Sequence, residues 1–393
     1  MCFTFIQQRK VFMAIRLEEY RSGEYRRGFQ YQFFLPSHIN ESWTWDTPQI
    51  NQLVEKAAIR LGELNSYARL VPNIDLFIQL HVTKEAVVSS RIEGTKTNID
   101  EALLPEEEIN PERRNDWREV NNYIRAMNDA IQTLETLPLS SRLLKQAHQT
   151  LLTNVRGEQK MPGEFRTSQN WIGGSSLADA VFIPPAHEHV PELMGDLEKF
   201  LHNDEIQMPA LVRIAIAHYQ FETIHPFLDG NGRIGRLLIT LFLVSEGILS
   251  QPLLYPSTYF EKNKGLYYDN LMRVRTHSDM LQWLKYFLVG VEQTATEAVA
   301  ALTNIIKLKS DIETLIHNNF GRRTASATLL LQQLFKHPIL SVDQAATICG
   351  VNYRPANELV ALMCKQQILR EITGQSRNRL FAFEPYLELF NLK

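Results

Sequence analysis

Residues 225–236, HPFLDGNGRIGR, combine side chains and a turn that together suit the chemistry of phosphate groups. The turn is rich in glycine and consists of Gly230, Asn231 and Gly232. It leads into a helix that we expect to begin near Arg233, so that free backbone N–H groups and the positive end of the helix point at one spot. The sequence therefore predicts an anion-binding site at this turn.

Four side chains around the turn extend this site to group transfer. Arg233 and Arg236 lie three residues apart on one helix face, where their guanidinium groups suit phosphate oxygens. Asp229 offers a hard oxygen ligand for Mg²⁺, which takes one or two carboxylates together with substrate phosphates. His225 follows the preceding helix, where it could take a proton from an incoming hydroxyl. Together these residues predict a phosphoryl or nucleotidyl transfer site. The alternative is a glycine-rich helix start whose charges are solvated.

These twelve residues match the signature HxFx(D/E)GNGRxxR without departure, and on this motif the chain resembles the Fic family. The resemblance implies an all-helical core that transfers AMP from ATP to a Ser, Thr or Tyr hydroxyl of a target protein. It makes His225 the general base, Asp229 the Mg²⁺ ligand and the glycine-rich turn the anion hole. Arg233 and Arg236 would hold the phosphates, with Arg236 toward the γ-phosphate. ATP and Mg²⁺ are the cofactors that the resemblance implies.

A second pattern, SSRIEG at residues 89–94, is similar to the inhibitory (S/T)xxxE(G/N) motif of the same family. Ser89, Glu93 and Gly94 occupy its fixed positions. In relatives that carry this motif before the core, the glutamate pairs with the second arginine of the signature, here Arg236. A carboxylate bound to that guanidinium would remove a phosphate ligand, so the resemblance implies autoinhibition by Glu93. The alternative is a surface glutamate near the end of a helix.

Two further features fit the resemblance less specifically. Residues 163–185 contain β-prone runs at 170–172 and 180–183 around a Gly-Gly-Ser-Ser turn, which predicts a β-hairpin. The hairpin lies where the family has a flap that aligns the target segment by strand addition; a simple edge hairpin is the alternative. Tyr267 and Tyr268 lie where related proteins contact adenine, although aromatic residues there are equally expected in a core.

Helical periodicity accounts for most of the chain. Apolar residues at three- and four-residue spacing predict helices over 50–70, 74–92, 117–137, 140–153, 190–201, 210–223, 232–246, 266–274 and 280–317. Residues 33–47 read as irregular, and the acidic, proline-bounded stretch 104–111 reads as a connection. We therefore expect an all-α fold. An N-terminal helical region at 1–105 carries the inhibitory helix, and a Fic catalytic core at 106–318 forms a helical bundle with a β-hairpin flap.

The pattern changes beyond a polar break at residues 318–324. Three helices, at 329–335, 342–348 and 355–364, precede a hairpin at 368–383. Ser341 and Gln344 form a capping-box pattern before the second helix. This order predicts a winged helix-turn-helix domain over 322–393. The third helix has only Arg354 and Lys365 at its edges, so DNA binding has weak support and docking of a protein is equally compatible.

The composition excludes several broad classes. The 393 residues carry 41 Lys and Arg against 44 Asp and Glu, with 44% apolar and 22% charged residues, which excludes a disordered or collagen-like chain. Cys2, Cys349 and Cys364 lack disulfide or zinc spacing and fit a reducing cytosol. Residues 1–20 show neither a signal peptide nor a membrane span, and Met13 is a plausible start. We expect a cytoplasmic protein with no membrane partner; a homodimer is left open.

Two classes of function remain. The first is an ATP-dependent protein adenylyltransferase that Glu93 holds inactive. In a variant of this function the enzyme removes AMP from a protein, and Glu93 orients a water. The second is a DNA-binding regulator whose Fic core senses nucleotides. The complete motif favours the first, because an idle core has no need of His225 beside an intact anion site.

Overall fold

The computed structural model describes residues 14–70 and 74–390. Cys2 and Met13 lie outside the described residues, and so does the interpretation of Met13 as a start. Four short strands come first: β1 Ile15–Arg16, β2 Gly23–Arg27, β3 Gln32–Pro36 and β4 Trp43–Thr44. Strands β2 and β3 form an antiparallel hairpin, whereas β1 and β4 form a short parallel pair.

These strands correct two expectations, an irregular stretch at residues 33–47 and a helical region that begins at residue 1. Strand β3 reads QFFLP, which shows no strict alternation of apolar and polar residues. The strand is stabilised by contacts across the fold: the ring of Phe34 packs edge-on to Tyr25, 5.2 Å between centroids, and lies 6.0 Å from Phe182. Such distant contacts leave no local periodicity to read.

The predicted helices occur in the predicted order, with ends that differ by a few residues, and two short helices, Ile99–Ala102 and Ser257–Lys262, were not predicted. The helices are α1 Pro48–Leu70, α2 Asp75–Ile92, α3 Ile99–Ala102, α4 Arg114–Thr133, α5 Ser141–Leu151, α6 Val190–His202, α7 Ala210–Ile224, α8 Asn231–Ser245, α9 Ser257–Lys262, α10 Lys264–His277 and α11 Met280–Asn319. Every residue of α7 from Leu211 to Ile224 is buried, as expected for a helix at the centre of a bundle. Its polar side chains are therefore inside the protein.

The hairpin predicted over residues 163–185 is present as a single β-bridge. Ile172 and Phe182 pair in antiparallel orientation, with Ile172 N–H donating to Phe182 O over 2.8 Å. The intervening loop closes on itself instead of extending the ladder, because the carboxylate of Asp179 accepts the backbone N–H groups and hydroxyls of Ser175 and Ser176. Residues 163–185 are called the flap below. Phe34 N–H of β3 donates to Ile183 O over 2.9 Å, which connects the flap to the N-terminal hairpin.

Helix α11 spans 40 residues, about 60 Å at 1.5 Å per residue, and leads from the bundle into the C-terminal region. That region contains α12 Thr324–Lys336, β5 Ile339–Ser341, α13 Val342–Cys349, α14 Tyr353–Lys365, β6 Arg370–Glu371, β7 Leu380–Ala382 and α15 Glu384–Leu387. The three strands form an antiparallel sheet in the order β5-β7-β6. The winged-helix assignment itself stays a prediction.

The sequence predicted some local features of the C-terminal region and missed others. The capping box of Ser341 and Gln344 is confirmed, since each side chain accepts the other residue's backbone N–H. Strand β5 was not predicted, because its three residues are too short for a periodic signal. Helix α12 packs against α2 of the N-terminal region, and the ring of Phe390 lies edge-on to His81 at 4.8 Å.

Two observations concern membranes and thiols. Among residues 14–70 and 74–390, no helix has the length and apolar character that crossing a membrane requires. Cys349 and Cys364 carry free thiols.

Candidate active site

The glycine-rich turn lies at the start of α8, which begins at Asn231, two residues earlier than expected. Gly230 caps the helix with φ 74°, in the left-handed region, and a Cβ there would lie 3.1 Å from the side chain of Leu151. The side chain of Asn231 accepts the N–H of Phe227 and donates to its carbonyl, both at 2.8 Å. Asn231 thus fixes the loop, while the backbone N–H groups of the first turn have no partner within the helix.

His225 ends α7 in the left-handed conformation, with φ 51° and ψ 62°. Its ring atom Nδ1 is buried and has no hydrogen-bond partner. Burial, together with the charges of Arg275 and Arg166, lowers the pKa of His225 to about 3. The imidazole is therefore neutral near neutral pH, which is the form that can accept a proton.

Two flap-side residues hold this conformation of His225. Its carbonyl accepts hydrogen bonds from Arg166 Nε at 3.0 Å and from Asn170 Nδ2 at 3.2 Å. Asn170 Nδ2 also donates to Phe227 O at 2.9 Å. Sequence reasoning missed Arg166 and Asn170, and no signal pointed to them, because both act on backbone carbonyls and belong to no motif.

His148 of α5 supports the other side of the loop. Its Nδ1 accepts the N–H of Gly163 at 2.9 Å, so Nε2 carries the proton and donates to Asp229 O at 3.0 Å. The ring stacks on Phe227 with centroids 3.8 Å apart. Burial lowers the pKa of His148 to about 4, which keeps the ring neutral. No sequence pattern indicated this role.

The carboxylate of Asp229 is 43% exposed. Its Oδ1 accepts the N–H of Gly230 at 2.5 Å and lies 3.7 Å from Arg233 Nη2. The remaining oxygen lone pairs fit Mg²⁺, which takes few protein carboxylates and completes its shell with phosphates and water. No cluster of three His, Cys, Asp or Glu side chains that could hold a metal ion stands in the described part of the chain.

The two arginines of the motif differ in their surroundings. Arg233 is buried and its Nη1 pairs with Glu119 of α4 at 3.2 Å, so it lies beside the cavity instead of lining it. Arg236 lines the cavity and is 1% exposed. The structure therefore brings one of the two predicted phosphate-binding guanidinium groups to the cavity wall.

Helix α2 supplies the partners of Arg236. Nε donates to Ser89 Oγ at 2.8 Å, and Nη2 donates to Ser89 O at 2.9 Å and to Glu93 Oε1 at 2.7 Å. The guanidinium thus caps a carbonyl in the last turn of α2, where cations are favoured. Contact between Glu93 and Arg236, which the inhibitory motif implies, is present in the structure.

Glu93 also reaches the start of α8. A Cβ at Gly232 would lie 2.2 Å from Glu93 Oε1, so only glycine leaves room for the carboxylate there. Burial alone would raise the pKa of Glu93, but the charge and hydrogen bond of Arg236 hold it below its ordinary value. Glu93 is therefore an anion at the positive end of the helix, where we expect phosphate to bind.

A cavity of about 300 Å³ joins these groups, a volume within the range of small-molecule sites. Its walls include the flap residues Trp171 and Ile172 and, from the helices, Glu222 and Arg275. Sequence reasoning missed all four. Glu222 had a readable signal: it lies three residues before His225, hence on the same face of α7.

Both predicted tyrosines line the cavity, but they differ in environment. Tyr267 is buried, its hydroxyl hydrogen-bonds to His218 Nε2 at 2.9 Å, and its ring stacks on Phe260 at 4.6 Å. Tyr268 is 38% exposed. Tyr267 is thus a core residue that also reaches the cavity, and Tyr268 has the freer ring; contact of either with adenine stays a prediction.

The fold and site define a helical protein in which the start of a helix and a neutral histidine line one cavity. Two family models specify it further: "Fic/DOC family N-terminal" matches residues 51–132, and "Fic/DOC family" matches residues 138–243. The two matches together cover 188 of the 393 residues, so the chain is similar to the Fic/DOC family over just under half of its length.

Two curated proteins are similar to part of this chain. The chain is 28% identical over 180 residues to protein adenylyltransferase fic-1 of Caenorhabditis briggsae, covering 46% of this chain and 32% of that protein. It is 30% identical over 180 residues to a probable protein adenylyltransferase of Aquifex aeolicus, covering 45% and 52%. The chain therefore spans between about a third and a half of the length of these relatives.

Solved structures share the fold. A Fic family protein from Desulfovibrio desulfuricans has a TM-score of 0.53 at 21% identity, over 86% of this chain and 96% of that one. Fic-1 (residues 134–508) from Caenorhabditis elegans has a TM-score of 0.51 at 21% identity, over 66% and 75%. At this identity the likeness concerns the fold alone.

Proposed function

We propose that this protein is an ATP-dependent protein adenylyltransferase. The observation that carries the proposal is the placement of the neutral His225 imidazole, whose Nδ1 has no hydrogen-bond partner, and the N-terminus of α8 on one cavity. A base and an anion site on the same cavity are what transfer of a nucleotide phosphate to a hydroxyl needs. The curated relatives carry the name of this activity.

In the proposed reaction the target hydroxyl gives its proton to His225 while its oxygen attacks the α-phosphorus of ATP. One P–O bond forms, the bond to the bridging oxygen breaks, and pyrophosphate leaves. Backbone N–H groups of α8 and the guanidinium of Arg236 stabilise the phosphate charge. Asp229 would hold Mg²⁺, which neutralises phosphate charge when bound.

The acceptor in this proposal is a Ser, Thr or Tyr hydroxyl of a protein segment that lies along the flap. The flap forms one β-bridge, so backbone groups beside it can pair with an incoming strand. Trp171, 40% exposed, belongs both to the flap and to the cavity wall. A cytoplasmic location and a homodimer stay predictions from the sequence.

We propose further that Glu93 restrains the activity. Its carboxylate occupies Arg236 and the start of α8, the groups that would otherwise hold phosphate oxygens. ATP would then have to displace an ion pair or bind with its phosphates misplaced. Removal of the carboxylate should therefore raise the rate of transfer.

The test is intact-mass analysis after incubation with ATP, Mg²⁺ and a cell lysate. We expect an adduct of the mass of AMP to accumulate faster with Glu93→Gly than with wild type, by tenfold or more, and to be absent with His225→Ala. Glu107→Gly, at an exposed position, is the matched control and should behave as wild type. Transfer at the wild-type rate by His225→Ala would refute the proposed base.

Removal of AMP from a protein is the second candidate, and one observation favours it. The Glu93 side chain lines the cavity and keeps 35% of its surface exposed, so it can hold a water there. The water oxygen would attack the phosphorus, and the target hydroxyl would leave with a proton. If Glu93 orients this water, Glu93→Gly should abolish release of AMP from a modified target. If Glu93 only inhibits transfer, the same substitution should leave the rate of AMP release unchanged.

A further inference from the structure

Glu222 is a buried carboxyl group on the cavity wall with no assigned task. It lies on α7 one helical turn before His225 and is 6% exposed. Its Oε1 is buried and has no hydrogen-bond partner, although the residue lines the cavity. A buried polar atom without a partner is rare and costs free energy unless a ligand or water satisfies it.

The two arginines near Glu222 direct their hydrogen bonds to other groups. Arg236 donates its hydrogen bonds to Ser89 and Glu93. Arg275 donates to the backbone carbonyl of Glu222 at 3.0 Å and to Thr223 Oγ1 at 3.1 Å. Neither guanidinium makes a hydrogen bond to the Glu222 carboxyl group.

The fold makes space for the carboxyl. Gly235 of α8 faces it, and a Cβ at that position would lie 2.1 Å from Glu222 Oε1. Glycine inside a helix is destabilising relative to alanine. The helix therefore carries a destabilising residue at the point where any side chain would displace this oxygen.

The carboxyl can both donate and accept hydrogen bonds. Burial raises the pKa of Glu222 to about 7, with the charge of Arg236 opposing this rise and that of Glu93 adding to it. Both protonation states are accordingly populated near neutral pH. Tyr268 and Leu271 line the same cavity, beyond the start of α8.

Building on the adenylyltransferase assignment, we propose that Glu222 binds the nucleoside half of ATP by a hydrogen bond to a ribose hydroxyl or to the adenine amino group. With the phosphates at the start of α8, the nucleoside extends along the α7 wall toward Tyr268. A site with a buried hydrogen-bonding group discriminates against an analogue that lacks its partner, because the group is then left unsatisfied. Glu222 thereby selects the nucleotide.

The experiment measures nucleotide affinity by calorimetry with Mg²⁺, with intact mass recorded to confirm that no adduct forms. The ligands are ATP, 2′-deoxy-ATP, 3′-deoxy-ATP and inosine triphosphate, which lacks the amino group. We expect wild type to bind one analogue about tenfold more weakly than ATP. Glu222→Met, which keeps the side-chain length, should bind ATP about tenfold more weakly and no longer distinguish that analogue. Glu222→Gln should retain most of the discrimination.

Gly235→Ala gives a second approach to the same atom. Its methyl group displaces the carboxyl without removing it and suits a helix, so the variant should fold and should lose the same discrimination. If both variants bind all four ligands more weakly by the same factor, Glu222 has a structural role and the inference is overturned. Wild-type discrimination in Glu222→Met would also overturn it. Absence of ATP binding by wild type and by Glu93→Gly would overturn the proposed function itself.

Discussion

His225 owes its position to residues that no motif contains. The backbone at this residue is left-handed, and its carbonyl is held by Arg166 and Asn170. Left-handed backbone costs a residue with a side chain about 1–2 kcal/mol, so the surrounding hydrogen bonds must supply that free energy. The imidazole is thereby kept at the cavity at a defined angle.

Asn170→Ala should consequently impair the chemical step more than nucleotide binding. It removes the bonds to His225 O and Phe227 O, and a misplaced base lowers rate with little effect on affinity. In a Glu93→Gly background we expect about tenfold slower transfer and an unchanged Kd for ATP, measured by adduct formation and calorimetry.

Ser176→Ala is the matched control, since the hydroxyl of Ser176 bonds only within the flap turn. It should transfer AMP at the parental rate. A weaker Kd in Asn170→Ala at unchanged rate would contradict the positioning role.

The sequence predicted the groups that face the ligand better than those that support them. Asp229 and the turn follow from spacing within one short motif, which fixes side chains on one helix end, whereas the Glu93–Arg236 contact was expected only from the resemblance to the Fic family. His148 and Asn170 contact backbone atoms of a loop, and such contacts place no demand on neighbouring residues. Arg233 shares a motif with Arg236 yet pairs with Glu119, which no local pattern reveals.

Among the elements, helices were predictable because their apolar residues recur with helical periodicity and pack together in one bundle. Helix α1 packs along α11, for example, and Leu61 and Leu64 of its apolar face are buried. Strand pairs were less predictable, because β3 depends on Tyr25 and on the flap and β5 on the closing hairpin. Their stability comes from partners distant in sequence.

The C-terminal elements carry arginines that are already paired. Arg323 and Arg354 lie 2.6 Å and 3.5 Å from the carboxylate of Glu358, and Arg370 lies 2.6 Å from Glu384. Cations paired in this way contribute less to phosphate binding. We expect no binding of a labelled 20-base-pair duplex at physiological salt by fluorescence anisotropy.

Glu358→Gln provides the comparison, since it frees Arg354 of α14 and Arg323 at the start of α12 and should raise duplex binding at low salt. Tight, sequence-dependent binding by wild type would contradict this expectation and favour the DNA-binding regulator.

At the scale of the whole molecule, three buried histidines and the half-buried His225, all within the described residues, make the fold sensitive to acid. Burial lowers their pKa values, to about 3 for His81, His218 and His225 and to about 4 for His148. In the unfolded chain their pKa returns to about 6.5. Between these values the unfolded state binds more protons, so the free energy of unfolding falls as the pH is lowered from about 6.5.

Two buried glutamates act in the opposite direction. Burial raises the pKa of Glu85 and of Glu222 to about 7, so below that pH the native state binds protons more readily than the unfolded state does. Their contribution is present below the unfolded pKa and is lost as the pH rises through 7. Four histidines against two glutamates leave a net loss of stability on acidification.

His218→Gln tests one part of this balance. A buried histidine that stays neutral contributes about 2 kcal/mol to the difference in unfolding free energy between pH 7 and pH 5. We expect His218→Gln to reduce the difference in unfolding free energy between pH 7 and pH 5 by about 2 kcal/mol, measured by urea denaturation. His317→Gln, at an exposed position, should leave it unchanged, and equal differences in both variants would contradict the prediction.

The left-handed backbone at residue 225 also bears on how such a protein changes over generations. Asparagine adopts this conformation more readily than other residues with side chains, and it carries no imidazole that must be buried beside arginines. If selection acted on folding alone, asparagine or glycine would be tolerated at residue 225, because neither destabilises the protein in a left-handed conformation. Under the proposed function, only selection for the chemistry of His225 opposes such a change, so stability presents little barrier to its loss.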